Sequence, residues 1–228
     1  MRTLAIGDIH GYWSVLQTLL AAVKVGPDDL VVTLGDYVDR GPQSREVIEW
    51  LASYRPVGNL IPLRGNHEWM MLEVRGSDEH LADWLKCGGV TTLGSYAAKG
   101  NVPSLSDVGA AHWDFLEQET RAWYETDTHF FVHANAYDDH ALVDQPDFML
   151  YWEPFLHPRP HMSGKVMVCG HTVQKTGRPR NLGHAVCIDT GVYRSDGWLT
   201  CLDVATSRYW QANQRGETRE GFLELPRD

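Results

Sequence analysis

The sequence is short of cysteine, of long apolar runs and of positive charge, and each shortage removes a class of function. Four cysteines occur, Cys87, Cys169, Cys187 and Cys201, and no two are spaced as a CxxC pair. That excludes a zinc ribbon and a thioredoxin-type site. Cys169, Cys187 and Cys201 lie in apolar, strand-like runs and read as reduced core residues, as expected in a cytosol. The first apolar stretch, Leu4 to Ile6, stops at Asp8, far short of the ~20 residues a spanning helix needs. The N-terminus lacks the basic-then-apolar order of a signal peptide, so a cytoplasmic location without membrane contact is expected. Twenty Lys and Arg against thirty Asp and Glu leave a net charge of −10. Such a chain is a poor candidate for nucleic acid or anionic lipid, because a phosphate backbone selects a basic face. A Walker loop, a GxGxxG turn and an Asn-x-Ser/Thr acceptor are also missing. Met71 stands where an HExxH helix after His67 would need its second histidine.

What is present is an ordinary globular composition over 228 residues, 43% hydrophobic and 22% charged, enough for a sizeable core. One domain over 1–228 is expected. Thr3 to Ile6, Leu30 to Leu34 and Leu60 to Leu63 read as strands. Trp13 to Lys24 and Ser44 to Tyr54 have helical spacing, with Leu16, Leu19, Leu20 and Val23 on one face of the first. This βαβαβ order predicts parallel strands joined by right-handed crossovers. Residues from about Glu68 to Tyr124 read as a helical insertion, clearest at Glu79 to Lys86 and Ala110 to Glu119. Its tryptophans, Trp69 and Trp84 among them, read as core. After His129 the pattern turns to strands, with a hairpin expected between Trp198 to Val204 and Arg208 to Ala212. The charged stretch from Gln214 is expected to be loosely ordered.

The chemistry stands where the strands end. The first runs into Gly7-Asp8-Ile9-His10-Gly11, the second into Gly35-Asp36-Tyr37-Val38-Asp39-Arg40-Gly41, the third into Arg64-Gly65-Asn66-His67-Glu68. The intervals match βα repeats of about 30 residues. Carboxyl ends of neighbouring parallel strands share a crevice where α/β sheets bind ligands. Two later strands end likewise, in His133-Ala134-Asn135 and Gly170-His171-Thr172. Two carboxylates, imidazoles and an amide oxygen form a hard-to-borderline donor set suited to Mn, Fe, Zn or Mg. We therefore expect two divalent cations, manganese foremost, sharing Asp36. Asp8 and His10 complete one shell; Asn66, His133 and His171 complete the other. Such a pair clamps the attacking and leaving oxygens of an in-line displacement at phosphorus. Two divalent ions less two aspartates leave a surplus of positive charge, and Arg40 and Arg64 at the rim would add to it for a phosphate dianion.

These five motifs, in order and each closing a strand, resemble the calcineurin-like metallophosphoesterases, and among them the compact bacterial and phage Ser/Thr protein phosphatases. The resemblance spans Gly7 to about Asp203, including Ile188-Asp189-Thr190-Gly191. It implies an α/β fold, a four-layer α/β/β/α sandwich of two mixed sheets. It further implies a metal-bridging hydroxide as nucleophile, with no phosphoenzyme. His67 would protonate the leaving alkoxide and Asp39 would orient His67 and keep it charged, which suits an acid working near neutral pH. The implied substrate is a phosphorylated protein or a small phosphoester.

Alternatives remain open at this level. Those phosphatases often carry a phosphate-binding Arg two residues after a Trp between the late histidine loops; here Tyr151-Trp152-Glu153-Pro154 puts Pro in that place. Arg159 is near in sequence. His184 is a rival to His171, Arg40 could pair with Glu46, and Asp39 could cap the helix after Gly41. His80, His112, His129, His140, His157 and His161 read as surface or loop residues. Relatives that split dinucleoside polyphosphates such as diadenosine tetraphosphate share the core, but tend to carry Ala at the place of Asp39 and Asp at that of Glu68. A catalytically silent binding module and a nuclease are the other candidates; intact ligand positions oppose the first and the acidic charge the second.

Overall fold

The computed structural model describes residues 1–54 and 59–224. β1 (Thr3–Ile6), α1 (Trp13–Val23), β2 (Leu30–Thr33), α2 (Ser44–Tyr54) and β3 (Asn59–Pro62) follow the expected order. β1 and β2, and β2 and β3, pair in parallel. α3 (Asn66–Gly76) opens the insertion. α4 (Leu81–Trp84) then passes through a wide helical turn at Leu85–Gly89 into α5 (Val90–Tyr96), and α6 (Ala110–Asp114) ends in a second wide turn at Phe115–Glu119. The remaining elements are β4 (Trp123–Glu125), β5 (His129–Val132), α7 (Asp147–Tyr151), β6 (Val166–Cys169), β7 (Arg180–Asn181), β8 (Ala185–Cys187), β9 (Leu199–Asp203), β10 (Arg208–Ala212) and β11 (Thr218–Phe222). None of the described helices is long and apolar enough to cross a membrane.

Two mixed sheets result, ordered β11-β10-β9-β1-β2-β3 and β4-β5-β6-β8-β7. Side chains alternate across a strand, and the cores record it. Ala5, Val32, Phe131, Val168 and Val186 meet between the sheets. Their neighbours Leu4, Ile6 and Val31 face α1, α2 and the insertion. Phe130, Val132, Met167 and Cys169 face the opposite side, against Leu150 and Tyr151 of α7 and the nearby Phe155. Apolar on both faces, these central strands read as continuous hydrophobic runs. The result is the α/β arrangement of two sheets with helices outside.

Some expectations need correction. The stretch from Gln214 is not loose throughout: Thr218–Phe222 forms an edge strand registered from Ala212↔Thr218 to Arg208↔Phe222. Residues 225–228 lie outside the described ones. The segment TREGF has no apolar face, so periodicity gave no strand signal; the turn at 213–216 and an Arg208–Glu220 ion pair at 2.7 Å hold it. His112 is buried, bonded to the Tyr96 hydroxyl and Glu49, each at 2.9 Å. His161 is buried too, against Ser163 and the carbonyl of His140. Trp69 packs on Tyr151, centroids 5.0 Å apart, beside the second sheet and not within the insertion core.

Candidate metal centre

The strand tips are stitched before any side chain acts. Ile9 and His10 both donate their N–H to the Asp36 carbonyl, and Gly41 donates to that of His10. Glu68, fully buried, accepts the N–H groups of Asp36, Tyr37, Val38 and Gly65 at 2.7–3.2 Å. One carboxylate thereby fixes the second and third tips against each other, a role the sequence reading missed; burial and Asp36 raise its pKa to about 7, opposed by those amides. Among the described residues, seven non-glycine residues have positive φ, and five of them are His10, Asp36, Asp39, Arg40 and His171. Left-handed backbone costs about 1–3 kcal/mol per residue and persists where surrounding bonds over-determine it.

Among the described residues two tight donor groups form, His10/Asp36/His67 and Asp36/His133/His171, and Asp36 belongs to both. Asp36 Oδ2 lies 3.5 Å from His10 Nε2, and Oδ1 lies 3.4 Å from His133 Nε2. Asn66 Oδ1 lies 2.9 Å from His133 Nε2 and 3.0 Å from His171 Nδ1. Asp8 enters the crevice through both its oxygens, which accept the His171 N–H at 3.2 and 3.0 Å. On the His10 side of Asp36 the tight group takes in His67; Asp8, expected there with His10, stands outside that group on the His171 backbone N–H.

The second nitrogens decide what these imidazoles can do. His10 Nδ1 meets the Val38 carbonyl at 3.0 Å, His133 Nδ1 that of Leu34 at 2.7 Å, and His171 Nε2 that of Trp152 at 3.1 Å. A carbonyl only accepts, so each of those nitrogens carries the hydrogen and the other presents its lone pair to the crevice. Burial lowers the pKa of all three, that of His171 to about 4. Burial raises the pKa of Asp36, the charged forms of His133, His67 and His10 lower it, and the net direction is down. Lone pairs therefore face the carboxylate from both sides with no hydrogen between them. That donor set fits two cations sharing Asp36.

His67 differs. Its Nδ1 bonds Asp39 Oδ2 at 2.6 Å. Burial lowers its proton affinity, but Asp36 and Asp39 prevail and its pKa is raised. Asp39 also receives Trp84 and Thr92 from the insertion, contacts that no motif announced. Burial pushes the pKa of Asp8 well up, with Asp189 and Asp36 adding to it.

The arginines separate. Arg40 does not turn to Glu46; its Nη1 donates to His10 Nε2 at 3.0 Å, its Nη2 lies 3.1 Å from His67 Nε2, and its guanidinium lies 4.1 Å from the Tyr193 ring centroid. Arg64, expected at the phosphate, donates to Thr120 Oγ1 and to the carbonyls of Leu116 and Glu117, each at 2.9 Å. Those acceptors belong to the insertion's last wide turn and the residue after it. Arg159 lines a separate groove of about 410 Å³ with Pro154, Phe148 and Tyr137. His184 bonds the Pro158 carbonyl at 2.9 Å and is outside both donor groups.

Comparison with known proteins follows the same line. The family profile described as calcineurin-like phosphoesterase matches residues 1–175. Serine/threonine-protein phosphatase 1 of Salmonella typhimurium is 39% identical over 85 residues, 37% of each chain. A symmetrical bis(5'-nucleosyl)-tetraphosphatase of Erwinia tasmaniensis is 38% identical over 101 residues, 41% of this chain and 36% of that one. The chain thus spans little more than a third of the length of these curated relatives. The solved structure of a protein serine/threonine phosphatase from Saccharomyces cerevisiae is similar in fold over 100% of this chain and 81% of the other, with TM-score 0.63 and 17% identity.

Proposed function

The chain belongs to the calcineurin-like phosphoesterases, and from that premise we propose that it hydrolyses phosphomonoesters with two divalent cations, phosphoserine and phosphothreonine of proteins first among its substrates. Asp36, His10, His133, His171 and Asn66 would hold the cations, with Asp8 beside them, and manganese is the first ion to try. When bound, such ions supply Lewis acidity at the phosphoryl oxygens and an activated water nucleophile. The residues of the chain do the rest. Arg40, carried on the left-handed turn after β2, reaches the rim as a planar donor for phosphate oxygens. His67 delivers a proton from Nε2 while Asp39 accepts its Nδ1–H.

The 2.6 Å bond between His67 and Asp39 carries the choice of substrate class. A serine or threonine alkoxide is a poor leaving group and needs a proton in the transition state, worth about 10²–10⁴-fold. The phosphate leaving groups of a dinucleoside polyphosphate need it far less. A buried imidazole of raised proton affinity, held by a buried carboxylate, is therefore best explained by an alkoxide leaving group. The second reading, diadenosine tetraphosphate hydrolysis, is favoured by the likeness to the tetraphosphatase relative. One assay decides: a phosphoserine peptide, a simple phosphomonoester and diadenosine tetraphosphate, each with manganese and with chelator. Manganese-dependent kcat/KM highest on the phosphopeptide is the expected result. A tenfold preference for the tetraphosphate would replace the reading, and turnover unaffected by chelator would remove it.

A further inference from the structure

We propose that Trp84 and Thr92, supplied by the helical insertion, are positioning residues that lock the Asp39 carboxylate and thereby aim the His67 imidazole at the leaving oxygen. The inference rests on the reading of His67 as the acid of the reaction. Asp39 Oδ2 accepts two donors, His67 Nδ1–H at 2.6 Å and Trp84 Nε1–H at 3.0 Å. Oδ1 accepts the Thr92 hydroxyl at 2.6 Å, and Thr92 Oγ1 in turn accepts the Asp39 N–H at 2.8 Å. Ser44 Oγ accepts the same N–H at 3.2 Å and meets Thr92 Oγ1 at 3.1 Å. Asp39, Thr92 and Ser44 are 0% exposed and Trp84 is 1% exposed, so water does not replace any of these bonds.

Both carboxylate oxygens are filled from different elements, and the group cannot rotate without breaking one of the bonds. The backbone makes the same point. Asp39 and Arg40 have φ of 72° and 70°, which their own chain does not prefer. The insertion bears directly on them. Gly88 has φ of 122°, and a Cβ there would come within 2.7 Å of Arg40 N and 3.0 Å of Asp39 Cβ. At Gly89 a Cβ would lie 2.6 Å from the Trp84 ring. The wide turn at 85–89 thus seats bare backbone on the Asp39–Arg40 turn and lays the indole beneath the carboxylate. A tryptophan that only filled volume would not need its N–H on the one oxygen that orients His67. Small misplacements of an aligned proton donor are costly, about 10²-fold for 1 Å.

The test compares leaving groups. Wild type, Trp84→Phe, Thr92→Val and His67→Ala are assayed with manganese on an alkyl phosphomonoester, whose alkoxide needs a proton, and on 4-nitrophenyl phosphate, whose leaving group hardly does. The readout is the ratio of kcat on the alkyl ester to kcat on the nitrophenyl ester. His67→Ala is expected to lower that ratio most, about 10²-fold. Trp84→Phe and Thr92→Val are expected to lower it about tenfold, with KM for both esters unchanged. If His67→Ala lowers the ratio and neither other variant does, the positioning role is wrong while the reading of His67 stands. If His67→Ala leaves the ratio unchanged, that reading falls and takes the inference with it. Should Trp84→Phe fail to fold, Thr92→Val, close to isosteric, decides alone.

Discussion

Three imidazoles in one crevice have their proton affinity lowered while a fourth has it raised, with ring centroids of His10 and His67 only 4.8 Å apart. The distinction comes from the partner of each outward nitrogen: backbone carbonyls for His10, His133 and His171, a carboxylate for His67. Environments that push neighbouring groups apart in proton affinity mark the division between binding and acid-base work. The two arginines divide in the same way. Arg40→Ala is expected to raise KM for a phosphomonoester about tenfold, the scale of one charge-assisted bond, with kcat less affected. Arg64→Ala is expected to leave KM within about twofold and to lower thermal stability by about 1 kcal/mol, because the part-buried Leu116 carbonyl and Thr120 hydroxyl and the exposed Glu117 carbonyl lose a donor. Steady-state kinetics and thermal melts check both; an equal rise in KM for Arg64→Ala would return that residue to the phosphate. Sequence alone could not separate them. Each follows a strand tip, and the direction of its side chain is set by acceptors in the insertion far along the chain.

At the scale of elements, the crossover from β1 to β2 is held by a polar tie. Arg2 caps the end of α1 through the carbonyls of Val23 and Lys24 and forks onto Asp29 just before β2. The Arg2 bond, against a smaller opposing effect of burial, holds the Asp29 carboxyl below the usual carboxylate range. A lowered carboxylate pKa stabilises the fold fully above the unfolded value of about 3.9 and loses that contribution as pH falls below it. Asp29→Asn is therefore expected to cost about 1–2 kcal/mol at pH 7, with the gap to wild type closing below about pH 4. Urea melts across that range measure it, and a gap constant with pH would show that the tie does not titrate. Helix and strand placement was largely legible, since β1, β2, α1 and α2 carry clean periodicity. The edge strand β11 was not, because its pairing relies on a turn and on cross-strand charges, not on an apolar face.

Across the whole molecule, an overall charge of −10 coexists with a crevice whose donor set would gather two cations. Phosphate would be drawn by the local field of the site and not by the surface at large. The sandwich also couples the site to stability, since its donors come from both sheets: Asp8, His10, Asp36 and Asn66 follow strands of one, His133 and His171 strands of the other. A cation bound there would hold the sheets together only in the folded state. Manganese at a hundredfold excess over its dissociation constant is expected to stabilise the protein by about 2.7 kcal/mol. Asp36→Asn should abolish most of that gain. Melts with and without manganese and chelator provide the measurement, and a manganese shift equal in wild type and variant would remove Asp36 from the shared position.

The residue types at the ends of β1, β2, β3, β5 and β6, and their spacing, pointed to the family and to a donor set by themselves: one of that composition after parallel strands suits metal and phosphate wherever the details fall. Tertiary structure decided everything that depends on a partner distant in sequence. It turned Arg64 to the insertion, left His184 outside the centre, and placed Trp84 and Thr92 against Asp39. It also gave Glu68 its four amides. Local pattern reports which face of an element is apolar and where it ends, whereas the aim of a polar side chain is set by acceptors and donors that only folding brings within 3 Å.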